Sequence, residues 1–256
     1  MNPLRAIHGR LIRIPLWRRY QRRLSRSLKY AVGAPDAYGD LVAIARRHNI
    51  SAVLDIGSYT GDTIVRFIDE LSVPVYGFEP TLDTFRKLEA RFGGNQQVHL
   101  FQCALSDRDG EEILYCNENP QTNSLLDNDK GNIVSFPDET KHLDMIRVKV
   151  QRLDTWVSHN LPSGHLIIKA DVQGAEGRLL DGGEATIRDR VLAIYAEAQL
   201  SPMYKGQTTF FELHERLTKE YGFYLQDIYP CLHDKTGKAV QTDALWINEK
   251  LVREQG

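Results

Sequence analysis

Little in this 256-residue sequence would anchor or staple it from outside. It holds only three cysteines, Cys103, Cys116 and Cys231, in no CxxC spacing, which argues against a disulfide framework and fits a reducing cytosol. No apolar run approaches the roughly 20 residues that cross a bilayer; the richest, such as Val191 to Ala196, are strand-sized. The G-x-G-x-x-G spacing that cradles a dinucleotide pyrophosphate is missing, and so is a Tyr-x-x-x-Lys pair. Both absences weigh against a nicotinamide-dependent oxidoreductase, which would use a similar architecture. There is no Asn-Pro-Pro-Tyr-like segment to present a flipped base and no broad basic face on the body of the chain, so no nucleic-acid partner is expected.

Acid is also missing from residues 1–35, which hold nine of the 32 basic residues, from Arg5 to Lys29. The remainder keeps 23 basic residues against 34 acidic ones, a formal −11 hidden inside a net charge of −2. Such asymmetry marks residues 1–35 as a basic appendage on a domain spanning 36–256. Leu4, Leu11, Ile12, Trp17, Tyr20 and Leu24 are interleaved among the arginines, and Pro15 would kink any helix they form. Three readings stay open: peripheral contact of residues 1–30 with an anionic membrane surface, an amphipathic helix packed on the domain, and an organellar presequence. A cytoplasmic location is the expectation, with contact of residues 1–30 at the inner face of the membrane as one of the three readings.

From residue 36 onward, strand and helix signals alternate. Asp36 to His48 reads as a helix, Ala52 to Gly57 as a buried strand, Thr63 to Leu71 as a helix, Val75 to Glu79 as a strand and Leu82 to Phe92 as a helix. Val98 to Ala104 is a third strand, Glu112 to Cys116 another, and Asn117 to Asp144 a long polar loop of the kind that carries function. Ile146 to Val150, His165 to Asp171 and Val191 to Ala198 are further strands, with helices at Leu153 to Ser158, Gly174 to Gly182 and Phe210 to Tyr221. Phe223 to Ile228 and Ala244 to Asn248 suggest an antiparallel pair at a sheet edge. The pattern predicts an α/β domain with a parallel sheet and helices on both faces.

Four segments could carry chemistry. Asp55-Ile-Gly57-Ser58-Tyr-Thr-Gly61 closes the first strand, where glycines permit a tight turn and Asp55 would repel a pyrophosphate but welcome a cation. Phe78-Glu79-Pro80 closes the second, the place where open α/β sheets hold a ribose diol on an acid. Ser106 and Asp107, in Cys103-Ala-Leu-Ser-Asp107, are either adenine neighbours or plain turn formers. Lys169, Asp171, Gln173 and Glu176 cross from a strand into a helix, with Lys169 and Asp171 two residues apart and so on one side. Glu176 could instead be held by the helix dipole, and Glu197 near the end of the next strand shares that ambiguity.

Together with Asn123-Ser124-Leu-Leu126, these segments resemble, in order and spacing, the FkbM family of S-adenosylmethionine-dependent methyltransferases over about Val53 to Glu197. The resemblance implies a Rossmann-like class I methyltransferase fold with a seven-stranded, mostly parallel sheet containing one antiparallel strand. It implies S-adenosylmethionine as cofactor and O-methylation of a sugar, glycan or other hydroxylated small molecule. Asp55, Gly57, Ser58 and Gly61 would then line the methionine end of the donor, and Glu79 with Pro80 the ribose. Ser106 and Asp107 would border the adenine, with Asn123 and Ser124 reaching in from the long loop. Asp171 is the first candidate for base, Glu197 the second, and Lys169 would steady developing charge, with Gln173 and Glu176 facing the acceptor. Gln173 and Ala170 depart from the family pattern, which favours an acid and a larger aliphatic there. The missing acid makes a divalent metal unexpected, though not excluded, and keeps a non-catalytic donor-binding or scaffold protein open as an alternative.

Overall fold

The computed structural model describes residues 36–130, 136–138, 140–161 and 163–254. The basic segment 1–35, and with it the expected membrane contact of residues 1–30, lies outside the described residues. In chain order the elements are α1 (Ala37–Arg47), β1 (Ile50–Ile56), α2 (Asp62–Glu70), β2 (Val75–Phe78), α3 (Leu82–Phe92), β3 (Val98–Phe101), β4 (Ala104–Ser106), β5 (Gly110–Asn117) and β6 (His142–Arg152). They continue with α4 (Leu153–Asn160), β7 (His165–Ala170), α5 (Glu176–Gly182), α6 (Glu184–Arg190), β8 (Val191–Gln199), α7 (Phe210–Lys219), β9 (Phe223–Ile228), β10 (Leu232–His233), β11 (Ala239–Asn248) and α8 (Glu249–Arg253).

The main sheet runs β10-β11-β8-β7-β1-β2-β3, with β9 also on β11. Strands β3, β2, β1, β7 and β8 are mutually parallel, and β11 is antiparallel to both β8 and β9. The Rossmann-like sheet with one reversed strand is therefore present, but with eight strands where seven were expected. The additional strand, β10, has two residues and forms where the turn at Asp234–Lys238 folds the chain back onto β11; two residues leave no readable period.

Alternation along the strands fills two cores, one on each face. Leu54, Ile56, Leu166, Ile168 and Ile194 meet α4, α5, α6 and α7 through Trp156, Leu179, Ile187 and Leu213. Val53, Ile167, Ala193 and Tyr195 point to the other face and meet α1, α2 and α3 through Leu41, Phe67 and Leu88. Each fully buried Leu, Ile or Phe stabilises the fold by about 1.5–3 kcal/mol relative to exposure.

Three expectations are corrected. The third strand stops at Phe101, because its partner β2 is four residues long and its last pair is Phe78 with Phe101. The strand signals at Glu112–Cys116 and Ile146–Val150 do not join the parallel sheet; they become β5 and β6 of a separate sheet, ordered β4-β6-β5, over Leu114, Leu125, Val148 and Val150. The long polar segment is no free loop throughout, because its last residues from His142 belong to β6. Ser124 in that segment forms a bridge with Tyr115, and Asn128 forms one with Tyr204.

Candidate active site

Strand order reverses between β1 and β7, and a cleft opens there at the carboxyl ends of β1, β2 and β7, where open α/β sheets take their ligands. The space between its walls, open solvent at the mouth included, is about 720 Å³. Gly57, Tyr59, Glu79, Pro80 and Thr81 line one part, Cys103, Ala104, Leu105 and Leu114 another, and Asn123, Ser124, Asp171 and Gln173 a third. Among the described residues that line the cleft there is no lysine, arginine or histidine.

The floor is set by close backbone approach. Gly57 has φ +78°, and a Cβ there would lie 1.9 Å from the carbonyl oxygen of Asp171, so only glycine lets β1 and the end of β7 meet. The N–H groups of Gly57 and Ser58 both donate to the carbonyl of Phe78, at 3.1 and 2.9 Å. They are thereby spent on the sheet rather than offered to an anion.

Under this floor sits a buried ion pair. Asp55 and Lys169 face each other in the β1–β7 register and lie 3.4 Å apart, Oδ1 to Nζ, both essentially inaccessible. Lys169 Nζ also donates to the Gly57 carbonyl at 2.8 Å and lies 3.7 Å from Asp171. Burial works against charge on Lys169, but Asp55 and Asp171 outweigh it, so its pKa is raised and the ammonium is held. Burial likewise raises the Asp55 carboxyl, with Lys169 pulling the other way. Lys169, expected at the acceptor, is therefore a buried counter-charge beneath the turn. Asp55, expected against the donor, is neutralised from below and does not reach the cleft wall.

Ser58 and Gly61 shape the turn and do not line the cleft. Ser58 Oγ donates to the Asp55 carbonyl at 2.7 Å, and a Cβ on Gly61 would strike Phe92 and Leu88 of α3. Glu79, by contrast, lies in the wall. Its Oε1 accepts the Thr81 N–H at 2.9 Å, and burial raises its pKa while the backbone N–H groups of Thr81 and Tyr59 oppose the rise.

The expectation for Ser106 and Asp107 is shifted by a few residues. Cys103, Ala104 and Leu105 line the cleft, whereas Ser106 is fully buried against α5, where a Cβ on Gly182 would meet its carbonyl at 1.9 Å. Asp107 pairs with Arg108 at the surface. Burial pushes the Cys103 thiol up to about 11, so it lines the wall as a neutral apolar group.

On the acceptor side, Asp171 projects into the cleft while its backbone N–H donates to Ile56. Gln173 Nε2 donates to Asp171 and to Glu197, both at 2.8 Å. Glu197, the second candidate base, accepts further from Gln199 Nε2 at 3.0 Å and is absent from the cleft wall. Burial, with Asp171, Glu176 and Asp243 close by, raises its pKa well above the carboxylate range. Glu176 is buried behind the cleft, where its Oε1 accepts the Val172 N–H at 3.2 Å. It closes the turn before α5 rather than facing an acceptor.

Burial also holds the Glu176 proton to about pH 8. An unfolded glutamate releases its proton near pH 4.3, so between these values the folded state binds more protons and stability falls as pH rises, by up to about 1.4 kcal/mol per unit from this group. Urea unfolding between about pH 5 and 8 should show that decline, and Glu176→Gln should flatten it. An equally steep decline in the variant would refute the assignment.

Tyr59, Thr81, Leu114, Gln121 and Tyr204 were not singled out from the sequence. Thr81 follows directly on the Phe78-Glu79-Pro80 motif and Tyr59 sits between the two glycines. Tyr204 carried no signal, because only the fold brings its loop to Gln173. Among the described residues no cluster of three or more His, Cys, Asp or Glu is arranged to hold a metal ion.

The family described as the methyltransferase FkbM domain matches residues 55–225. The 2-O-methyltransferase NoeI of Sinorhizobium fredii (strain NBRC 101917 / NGR234) is 28% identical over 162 residues, 60% of this chain and 66% of that protein. The aligned part is thus just under two thirds of that relative's length. Among solved structures, magnesium protoporphyrin IX methyltransferase from Synechocystis PCC 6803 with bound SAM superposes with a TM-score of 0.44 at 10% identity, over 83% of this chain and 78% of that one. Aeropyrum pernix fibrillarin, in complex with natively bound S-adenosyl-L-methionine, gives 0.44 at 12% identity, over 82% and 76%.

Proposed function

Since this chain belongs to the methyltransferase FkbM domain family, we propose that it transfers a methyl group from S-adenosylmethionine to a hydroxyl oxygen of a sugar, glycan or similar polyol. The observation that carries this reading is the character of the cleft: Glu79 and Asp171 in its wall, and no cationic side chain among its described lining residues. A positively charged nucleoside is welcome there and a pyrophosphate is not, the more so because the Gly57 and Ser58 N–H groups are already engaged. The name of the Sinorhizobium relative supports oxygen as the methyl acceptor.

The residues fit the donor. Glu79, fixed by the Thr81 N–H, would take the ribose hydroxyls, and Cys103 to Leu105 with Leu114 would flank the base. Gly57 and Tyr59 would border the methionine end. When bound, the donor supplies an activated methyl group. What the chain must add is alignment of the acceptor oxygen and removal of its proton. Asp171 is the group placed for that work, because the residue lines the cleft and its carboxylate is held on one oxygen by Gln173. Asn123 and Ser124, from the segment opposite, would exclude water and flank the acceptor.

Calorimetric titration tests the reading. S-adenosylmethionine and S-adenosylhomocysteine should bind saturably and NAD should not, and Glu79→Ala should weaken binding by about 10- to 100-fold through loss of a charged hydrogen-bond acceptor. A folded sample that binds neither sulfur nucleoside would overturn it.

A further inference from the structure

Gln173 departs from the acid that the family resemblance leads one to expect, and in the fold it meets Ser124, Asp171, Glu197 and Tyr204. Its backbone has φ +53°, in the left-handed region that a non-glycine residue enters only when its surroundings hold it there. Those surroundings are visible. Its carbonyl accepts the Ser124 hydroxyl at 2.8 Å, its Nε2 gives one proton to Asp171 and one to Glu197, and its Oε1 accepts the Tyr204 hydroxyl at 2.5 Å. With the amide assigned this way its NH₂ faces the two acids and its oxygen takes the Tyr204 hydroxyl proton.

The residue thereby joins the end of β7, strand β8, the Ser124 segment of the cleft wall and the segment that carries Tyr204. The segments are also fastened to each other. Asp129 N–H donates to Met203, Lys205 N–H donates to Asp127, and Leu126, Ala175, Met203 and Tyr204 share a small apolar cluster. We propose that Gln173 is a positioning residue whose amide holds Asp171 against Glu197 and ties both to Tyr204, so that seating of the cleft segments and aiming of Asp171 are one event. This rests on the reading of Asp171 as the acceptor-side base. A glutamate at 173 would put a further carboxylate among Asp171, Glu197, Glu176 and Asp243, with Lys169 as the opposing charge; the neutral amide instead supplies a donor to Asp171 and to Glu197.

Two readouts test the arrangement, and neither needs donor or acceptor. In carbon-13 carboxyl spectra, Gln173→Glu should move the titration of Glu197 upward by about one pH unit or more, since a donor facing it becomes a like charge. In proton–nitrogen spectra, the Gln173 side-chain amide protons should exchange slowly in the unaltered protein and at least about tenfold faster in Tyr204→Phe, which removes one hydrogen bond and keeps the ring packed. An unmoved Glu197 titration, or amide exchange in Tyr204→Phe equal to that of the unaltered protein, would overturn the proposal. Tyr204→Phe carries the test by itself if Gln173→Glu does not fold. A failure of the methyltransferase reading shows separately, as absence of S-adenosylhomocysteine binding.

Discussion

Asp171→Asn is expected to keep S-adenosylhomocysteine affinity within about threefold while methyl transfer falls by about 10²- to 10⁴-fold, the range over which a positioned general base acts. The two effects separate because the asparagine preserves shape. Its side-chain oxygen can still accept from Gln173 Nε2, and its backbone N–H still donates to Ile56. What is lost is the carboxylate charge, which also faces Lys169, and with it the capacity to take a proton. Side-by-side calorimetry and product assay on a hydroxylated acceptor decide the matter. A loss smaller than tenfold would refute Asp171 as the base.

Lys169→Met should lower unfolding free energy by about 3–5 kcal/mol, since it leaves Asp55 charged and fully buried without its counter-ion. The Gly57 carbonyl also loses its donor, directly beneath the turn that forms the cleft floor. Urea unfolding measures the effect, and the Asp55→Asn, Lys169→Met double variant distinguishes its causes. If ion pairing dominates, the double variant is more stable than Lys169→Met alone. If the double variant is as unstable as the sum of the two single ones, the pair contributes no coupling and Lys169 acts through packing. Donor binding should fall in parallel with stability, because neither residue lines the cleft.

Some site residues were legible and others were not, for a consistent reason. Glu79, Pro80, Asn123, Ser124, Asp171 and Gln173 were anticipated, and each lines the cleft. Strand ends and polar segments sit where the chain turns, and turning is encoded locally by glycine, proline and polar residues. Lys169 and Asp55 were anticipated as polar groups at the right edge of the sheet, but two-residue alternation reveals only which face a side chain takes. It does not reveal that Lys169 and Asp55 take the same face of adjacent strands and neutralise each other. Ser106 and Asp107 lay in the right segment, yet register decided that the three residues before them meet the cleft. The chain leaves β3 early and pairs β4 with β6, a contact between residues 104–106 and 150–152 that no local signal announces.

By itself, then, the sequence determined the α/β class, the positions of most helices and parallel strands, and the glycine turn and acid that mark a nucleoside site, because each depends on residues within a few positions of one another. Tertiary structure alone decided that Asp55 and Lys169 form a buried pair, that Glu176 turns away from the acceptor, and that Gln173 ties Asp171 and Glu197 to Tyr204. The buried pair and the ties from Gln173 to Glu197 and Tyr204 join residues from 24 to more than 110 positions apart. They exist only once crossover connections bring β1, β7, β8 and the two overhanging segments to one edge, where a few ångströms separate a reacting group from a buried counter-charge.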